Sequence, residues 1–577
     1  MIRITDPLRR CFSSLKWDLS QYLVHDQREK PHLIEPRLNT ISEFMQGRAS
    51  NFLGYQANAN VKHSNDLQKF MNLHINNIGD PSERGSFLMN TKEIEYAVIR
   101  YYAGLWNVTM RDIQKDNNLQ LQDPEAYWGY VLSMGSSEGN IMATWMGRDY
   151  VGGKYLIVDK HHSRTVSRQG KLLKTFRTKV EKGNSESDVL LPTVFFTSSA
   201  AHYSVLKAAV LMNVSSFADL GNELYPDAVI PGIKKANERF PSHVPVYNNF
   251  DGRIDPEKLA TLVDFFASRK HGIMVVLNYG TTFTGAYDEV ESCTTKLRAI
   301  FKRHGLDKVE REITDPDGNK ITHVRTGYWI HVDGALGGAY LPYLANFYKN
   351  TPNKVVDTVI DENGKVVDYK ASDIPTIDMN SHPEVCSTVM SGHKYPGAPW
   401  PCGVYMSRHK YQLHPPSSPM YIGSLDSTLS GSRNAISPIV LWKHLCTNSE
   451  KSIEEGTAFC LTAAQQLEVK LRHIIETKNK MLGTNLKLVR APFSLSIIFS
   501  KMVQKYCDKY TLSGQDIDGK NFNHLFVLQH VAHNPELIER FLEHAAEPGS
   551  FEEEIPLLAK MSVFDKGTYN LSLDTTC

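Results

Sequence analysis

The chain of 577 residues lacks any surplus of charge, since 64 Lys and Arg stand against 63 Asp and Glu. Nothing in that balance draws in nucleic acid or an anionic membrane, so the expected partner is a small molecule read by a pocket. Cysteine is sparse and unpatterned: the 8 cysteines, at 11, 293, 386, 402, 446, 460, 507 and 577, include no CxxC pair. That spacing argues against a disulfide framework and a thiolate zinc site, and makes a reducing compartment the expectation. No metal is expected, because His161-His162, His533 and His544 have no partners at ligand spacing. Long hydrophobic runs are missing too, with nothing approaching the ~18 apolar residues of a membrane span. The N-terminal stretch carries Arg3, Arg9, Arg10 and Lys16 but no continuous apolar core. A soluble, cytoplasmic protein is expected, with organelle import left open by that Arg- and Ser-bearing start.

What the chain does have is regular alternation of apolar strands and helical stretches. Tyr127 to Met134 reads as a buried strand, followed by Gly135-Ser-Ser-Glu-Gly-Asn140 and a helix to Tyr150. Such a junction, with free backbone N–H groups, the positive end of a helix and the hydroxyls of Ser136 and Ser137, suits one phosphate or is a serine-capped loop. The GxGxxG spacing of a dinucleotide site is absent there. Val194 to Thr197 leads to His202 and a helix, Gly272 to Asn278 runs into Tyr279-Gly-Thr-Thr, and Tyr328 to Asp333 runs into Gly334-Ala-Leu-Gly-Gly. Further strands are predicted at Pro245–Tyr247, Ser494–Phe499 and Leu525–His530, and helices at Pro36–Gln46, Ser437–Val469 and Pro535–Ala545. Fully apolar strands in βα alternation predict a mostly parallel sheet covered by helices on both faces, with ligands at the carboxyl ends of the strands. Every polar turn just named lies at such an end.

The domain reading is an N-terminal arm with wrapping helices over 1–110, a large domain over 111–469, and a small α+β domain with a tail over 470–577. Two segments, 309–325 and 354–369, alternate around the turn signals Asp315-Pro-Asp-Gly-Asn and Asp361-Glu-Asn-Gly, and read as inserted hairpins. Pro415 to Pro419 reads as a mobile loop. Turns rich in amides at Gly54–Asn60 and Asn76–Asp80 are capped turns or pocket edges, with Tyr55, Gln56, Asn76 and Asn77 as candidates.

The chemistry centres on Lys394. It follows a β-branched run and the small turn Ser391-Gly-His, and precedes Tyr395-Pro-Gly-Ala-Pro-Trp-Pro401, a setting that suits a turn rather than a regular element. A loop lysine is ordinarily a solvated charge. One desolvated between ordered elements has a lowered pKa and can act as a Schiff-base nucleophile. A phosphate turn, an aspartate at a strand end, a histidine after another strand and a turn lysine meet the needs of pyridoxal 5'-phosphate bound in a sheet crevice.

Six motifs in order, Gly135-Ser-Ser-Glu-Gly-Asn, His202-Tyr-Ser-Val, Asn278-Tyr-Gly-Thr-Thr, His331-Val-Asp-Gly-Ala, Ser391-Gly-His-Lys and Gly431-Ser-Arg-Asn, resemble the group II pyridoxal-phosphate-dependent amino acid decarboxylases, in the branch of the histidine and serine decarboxylases. The resemblance spans roughly residues 50 to 545. It implies the aminotransferase-like fold type I, a homodimer with the active site at the subunit interface, and loss of the substrate α-carboxylate as carbon dioxide. By that resemblance Lys394 is the Schiff-base lysine, Asp333 the partner of the pyridine nitrogen and His202 the residue stacked on the ring. Ala335 lets the ring lie flat, and Ser136, Ser137, Ser391 and His393 surround the phosphate. Tyr421 is the candidate for the loop tyrosine that moves a proton, the alternative being a packed aromatic at a strand start. The chain's length, the two hairpins and Gly54-Tyr-Gln-Ala-Asn are more like the longer relatives acting on valine, leucine and methionine, so an aliphatic or thioether substrate is expected ahead of histidine or an aromatic amino acid. An aldehyde synthase on the same frame, or a scaffold without the cofactor, are the rival readings.

Overall fold

The computed structural model describes residues 30–61, 63–82, 85–108, 125–158, 173–176, 191–248, 250–314, 320–361, 364–412, 421–424 and 426–554. The Pro415–Pro419 loop, the Asp315–Asn319 turn, His161-His162, the basic N-terminal stretch and the C-terminal tail lie outside the described residues.

Seven strands form the central sheet: β1 (Tyr127–Leu132), β2 (Leu191–Phe196), β3 (Ser215–Ser216), β4 (His271–Asn278), β5 (Tyr328–Asp333), β6 (Val385–Ser391) and β7 (Gly403–Arg408). Their spatial order is β1-β7-β6-β5-β4-β2-β3. The pairs β6/β5, β5/β4, β4/β2 and β2/β3 are parallel, while β7 runs antiparallel to both β6 and β1. Every residue of β4, β5 and β6 is buried, which is why β4 reads as a nearly continuous apolar run rather than as an alternating one.

Alternation survives in what each face touches. Trp329 of β5, Met274 and Val276 of β4 and Phe195 of β2 pack with Met142 and Met146 of the helix Ser136–Val151. Ile330 and Val332, Ile273, Val275 and Leu277 face the other way, with Leu262 and Phe266 of the helix Pro256–Ala267 and Leu297 and Phe301 of the helix Val290–His304. His331 and Asp333 therefore fall on the same face as Trp329, beneath the helix Ser136–Val151. Local signals set the helix starts: the Asp255 carboxylate accepts from the N–H groups of Glu257 and Lys258 ahead of Pro256, and Gly305 ends the helix Val290–His304 at φ 70°.

Two hairpins, Val309–Thr314 with Lys320–Arg325 and Val355–Ile360 with Val366–Lys370, stand outside the central sheet. A second, four-stranded antiparallel sheet (Leu488–Val489, Ser496–Ser500, Gly514–Ile517, Lys520–Phe526) carries the helix Pro535–Ala546.

Several expected elements differ. The single helix over Ser437–Val469 is two, Ile436–Thr447 and Glu450–Leu482, because Asn448 turns extended and Ser449 caps the second by accepting from the N–H of Ser452. The second helix runs through position 469, so the chain has no break in secondary structure there. Pro245–Tyr247 makes only isolated bridges at Val244 and Val246. The strand expected over Leu525–His530 ends at Phe526, and Gln529–Ala532 is a helical turn. The N-terminal helix is longer than expected, Pro31–Ala49, and buries none of its residues in the single chain. Among the described residues no helix is long and apolar enough to cross a membrane.

Candidate active site

Three strand ends and two turns converge beneath the helix Ser136–Val151. Asp333, the last residue of β5, is level with Asn278 of β4 and Val389 of β6. Its carboxylate is buried and accepts two hydrogen bonds, from Asn140 Nδ2 to Oδ2 at 2.8 Å and from the Ala335 N–H to Oδ1 at 3.1 Å. Each oxygen keeps a free lone pair for a further donor. Ala335 also ties the turn to β6, its carbonyl accepting from the N–H of Ser391 at 3.1 Å.

Lys394 lies three residues beyond the end of β6. Burial lowers its amine from the ordinary 10.5 to about 8, against the pull of the Asp333 carboxylate. That leaves about a tenth of the amine neutral and nucleophilic at pH 7, roughly a hundredfold more than in a free lysine. The ammonium donates to Gln56 Oε1, while Gln56 Nε2 donates to the carbonyls of Thr281 (3.2 Å) and Thr282 (2.9 Å). Gln56 is thus brought to the lysine from a stretch more than three hundred residues earlier, a contact that no local pattern announces.

His202 precedes the helix Tyr203–Leu211 and caps it, its Nδ1 accepting from the Ser204 N–H at 3.3 Å and lying 2.7 Å from Ser204 Oγ. Burial lowers its pKa; Asp333 raises it and Lys394 lowers it further, so the three groups lie within electrostatic reach of one another. Ser136 opens the helix Ser136–Val151 with its Oγ 2.8 Å from Ser391 Oγ and its N–H donating to that oxygen at 3.2 Å. Ser137, partly buried, follows on the same turn. Gly135 has φ 66°, and a Cβ there would stand 2.7 Å from His393 Cε1. The missing side chain lets His393, which is 3.2 Å from the Cys402 carbonyl through Nδ1, close one wall of the serine-lined recess.

Other candidates are placed elsewhere. Asn76 is spent on the strand pair with Ser432–Asn434, accepting from the N–H of Arg433 and donating to Ser432 Oγ. Asn77 donates to the buried Glu95 and accepts from the Thr91 N–H. Both amides are committed to packing, so neither is a pocket edge at Lys394. Tyr55 stacks on Phe52 and is 52% exposed, and Tyr421 is 84% exposed in the single chain. His544 bonds Tyr510 and His533 stacks on Phe459; among the described residues no cluster of His, Cys, Asp or Glu is arranged to hold a metal.

Two residues went unmarked as site residues. Asn140 lies one helical turn after Ser136, and His331 two strand positions before Asp333. Those spacings put each on the face of a residue already singled out, which was the available signal.

An amine, a buried carboxylate, a histidine and a hydroxyl-lined helix N-terminus, on the carboxyl side of a mainly parallel sheet, define a pyridoxal-phosphate enzyme of fold type I. The donor set fits the cofactor: an anion recess, an acceptor for a ring N–H, and a neutral amine for its aldehyde. Comparison with known proteins agrees. L-Methionine decarboxylase from Streptomyces sp.590 superposes with a TM-score of 0.75 at 32% identity, covering 92% of this chain and 98% of that one. Histidine decarboxylase of Solanum lycopersicum is 24% identical over 477 residues, 82% of this chain and 79% of its own length. Serine decarboxylase 2 of Oryza sativa subsp. japonica is 24% identical over 445 residues, 75% of this chain and 64% of its own. No protein-family model matches. The chain belongs to the group II pyridoxal-phosphate-dependent amino acid decarboxylases: it is a lyase that removes the carboxylate of an amino acid, with pyridoxal 5'-phosphate as cofactor.

Proposed function

We propose that the substrate is a medium-sized aliphatic or thioether L-amino acid, with methionine first and leucine and valine next, converted to its primary amine. The observation that carries this reading is the 32% identity over nearly the whole of a methionine decarboxylase, against 24% for the histidine and serine decarboxylases. When bound, the cofactor supplies an electron sink for the charge left by the departing carboxylate. Lys394 holds the cofactor through its amine, and Asp333 keeps a proton on the ring nitrogen. Ser136, Ser137, Ser391 and His393 bind the phosphate, Ala335 leaves room for a flat ring, and His202 covers the opposite face. Gln56, bonded to Lys394, stands where a substrate amino group must enter, and orients that end of the pocket.

The working unit is a homodimer. In the single chain Tyr203, Leu206, Val210 and Leu211, on the helix that His202 caps, are exposed apolar side chains, as is Tyr421; a second copy covering them supports a site completed at the interface, with Tyr421 donating the proton across it. A cytoplasmic location and a division into an arm, a large domain and a small C-terminal domain complete the reading.

Specificity constants for methionine, leucine, valine, histidine and tyrosine, measured on holoenzyme under one condition, test the substrate. Apolar pockets separate neighbours by only ~1–3 kcal/mol per methylene, so methionine should lead with leucine and valine within roughly two orders of magnitude. Histidine or tyrosine exceeding all three by about a hundredfold overturns the ranking but not the decarboxylase assignment.

A further inference from the structure

We infer that Asn140 is a positioning residue that joins Asp333 and His202 through one hydrogen-bond relay, Ser387–His331–Asn140–Ser204–His202, and so presents His202 to the site with its proton on Nε2. The consequences for the cofactor rest on the roles proposed above for Asp333 and His202; the relay itself does not.

Each link has one direction. The Asp333 carboxylate only accepts, so the Asn140 atom 2.8 Å from Oδ2 is the amide nitrogen, which also donates to Ser204 Oγ at 3.0 Å. Asn140 Oδ1 then faces His331 Nε2 at 2.9 Å, and that nitrogen must carry the proton. His331 is fully buried, and burial takes its pKa down to about 4, so the ring is neutral and Nδ1 is an acceptor. Ser387 Oγ, at 2.8 Å, donates to it; the Ser387 carbonyl lies further off at 3.2 Å. At the other end Ser204 Oγ accepts from Asn140 and has its own proton left for His202 Nδ1 at 2.7 Å. The Ser204 N–H points to the same nitrogen. Two donors on Nδ1 leave no place for a proton there, and the helix that His202 caps presents its positive end to the ring. Asn140 is the branch point, since one amide group serves both the carboxylate and the chain to the histidine.

The relay makes a claim about ionisation that bulk packing does not. Protonating Nδ1 breaks both donated bonds. Removing one of them should therefore raise the ionisation midpoint of His202, while Asp333 and Lys394, the charged groups facing His202, stay in place. The experiment follows the His202 resonances of cofactor-free protein labelled with ¹⁵N-histidine, identified by their loss in His202→Gln, through a pH titration. Ser204→Ala should raise the midpoint by about 0.5 to 1 pH unit, and Ser204→Thr, which keeps the hydroxyl, should restore it. Should the alanine variant not fold, Ser204→Cys, a weaker donor of nearly the same size, is read in the same way. A midpoint that stays put in the alanine or cysteine variant, or a threonine variant that shifts as far as they do, overturns the relay. Asn140→Leu should raise the dissociation constant for pyridoxal 5'-phosphate about tenfold or more; an unchanged constant, where Asp333→Ala does lose affinity, overturns Asn140 as the residue that positions Asp333. If instead His202→Ala left cofactor binding and turnover intact, the role of His202 at the ring would fall while the relay stood.

Discussion

Replacing Lys394 by Met in cofactor-free protein isolates the price of placing the amine where it is. The side chains are of similar length, and methionine carries no charge to desolvate. An amine held at about 8 in the fold and at 10.5 when free destabilises the folded state wherever it is protonated. The unfolded chain binds the proton more tightly between those values, so folding is penalised in full below pH 8 and the penalty fades as pH climbs toward 10.5. Its size is about 3 kcal/mol at pH 7, falling to about 1.5 kcal/mol at pH 9.5. Methionine also removes the bond to Gln56 Oε1, a loss of roughly 1–3 kcal/mol that opposes the gain. That loss is nearly independent of pH, because a neutral amine still donates. The difference in unfolding free energy between Lys394→Met and wild type should therefore move by about 1.5 kcal/mol between pH 7 and 9.5, wild type catching up as pH rises. Urea unfolding of both cofactor-free proteins at four pH values measures it. A difference that is flat with pH, or that grows in favour of the variant, refutes a desolvated amine at this position and with it the ready nucleophile.

Two further outcomes probe the frame around the site. Gly135→Ala places a side chain at φ 66° and 2.7 Å from His393 Cε1; equilibrium dialysis should show cofactor affinity reduced about tenfold, with a stability loss of roughly 1–3 kcal/mol, and unchanged affinity would remove His393 from the phosphate recess. Arg490 is fully buried between Asp357 of the second hairpin and Glu468 of the helix Glu450–Leu482; Arg490→Met leaves the buried Asp357 without its cation and Glu468 with Arg472 alone, so unfolding measurements should show a loss of about 3–5 kcal/mol, whereas a change below about 1 kcal/mol would mean the pair is not desolvated.

The central sheet was legible because its strands are buried on both faces, so β4 is a nearly continuous apolar run and β5 is broken only by His331 and Asp333, each too short for a helix of ordinary length. The site was legible where chemistry sits at or just beyond the end of such a strand: Asp333 closing β5, Lys394 after β6, and Ser136 after β1. What escaped depends on distance or on competition. Asn76 and Asn77 carry the same amide as Gln56, and composition cannot tell which will meet a lysine and which a buried Glu95 or a strand partner. Asn448-Ser449 breaks a helix inside a stretch of good helix formers, because a serine that can cap competes locally with helix continuation. The relay through His331 and Asn140 needed the helix docked on the sheet before its two halves could be recognised as one.

The position of Lys394 is settled from the far end of the chain as much as from its own strand. The Asn58 N–H donates to the Lys394 carbonyl at 3.0 Å, and Asn58 Nδ2 to the Tyr395 carbonyl at 3.2 Å. Two residues earlier Gln56 takes the amine itself. Just before that, Leu53 donates to the Tyr510 carbonyl and accepts from the Phe526 N–H, which fixes the same strap to the C-terminal sheet. Gly54 lies so close there that a Cβ would collide with the backbone of Thr511 and Leu512. The strap from Leu53 to Asn58 therefore runs between the two sheets, one end pinned to the small sheet and the other on the lysine turn. A chain cut within the strap should keep its central sheet while losing the fixed geometry of its lysine.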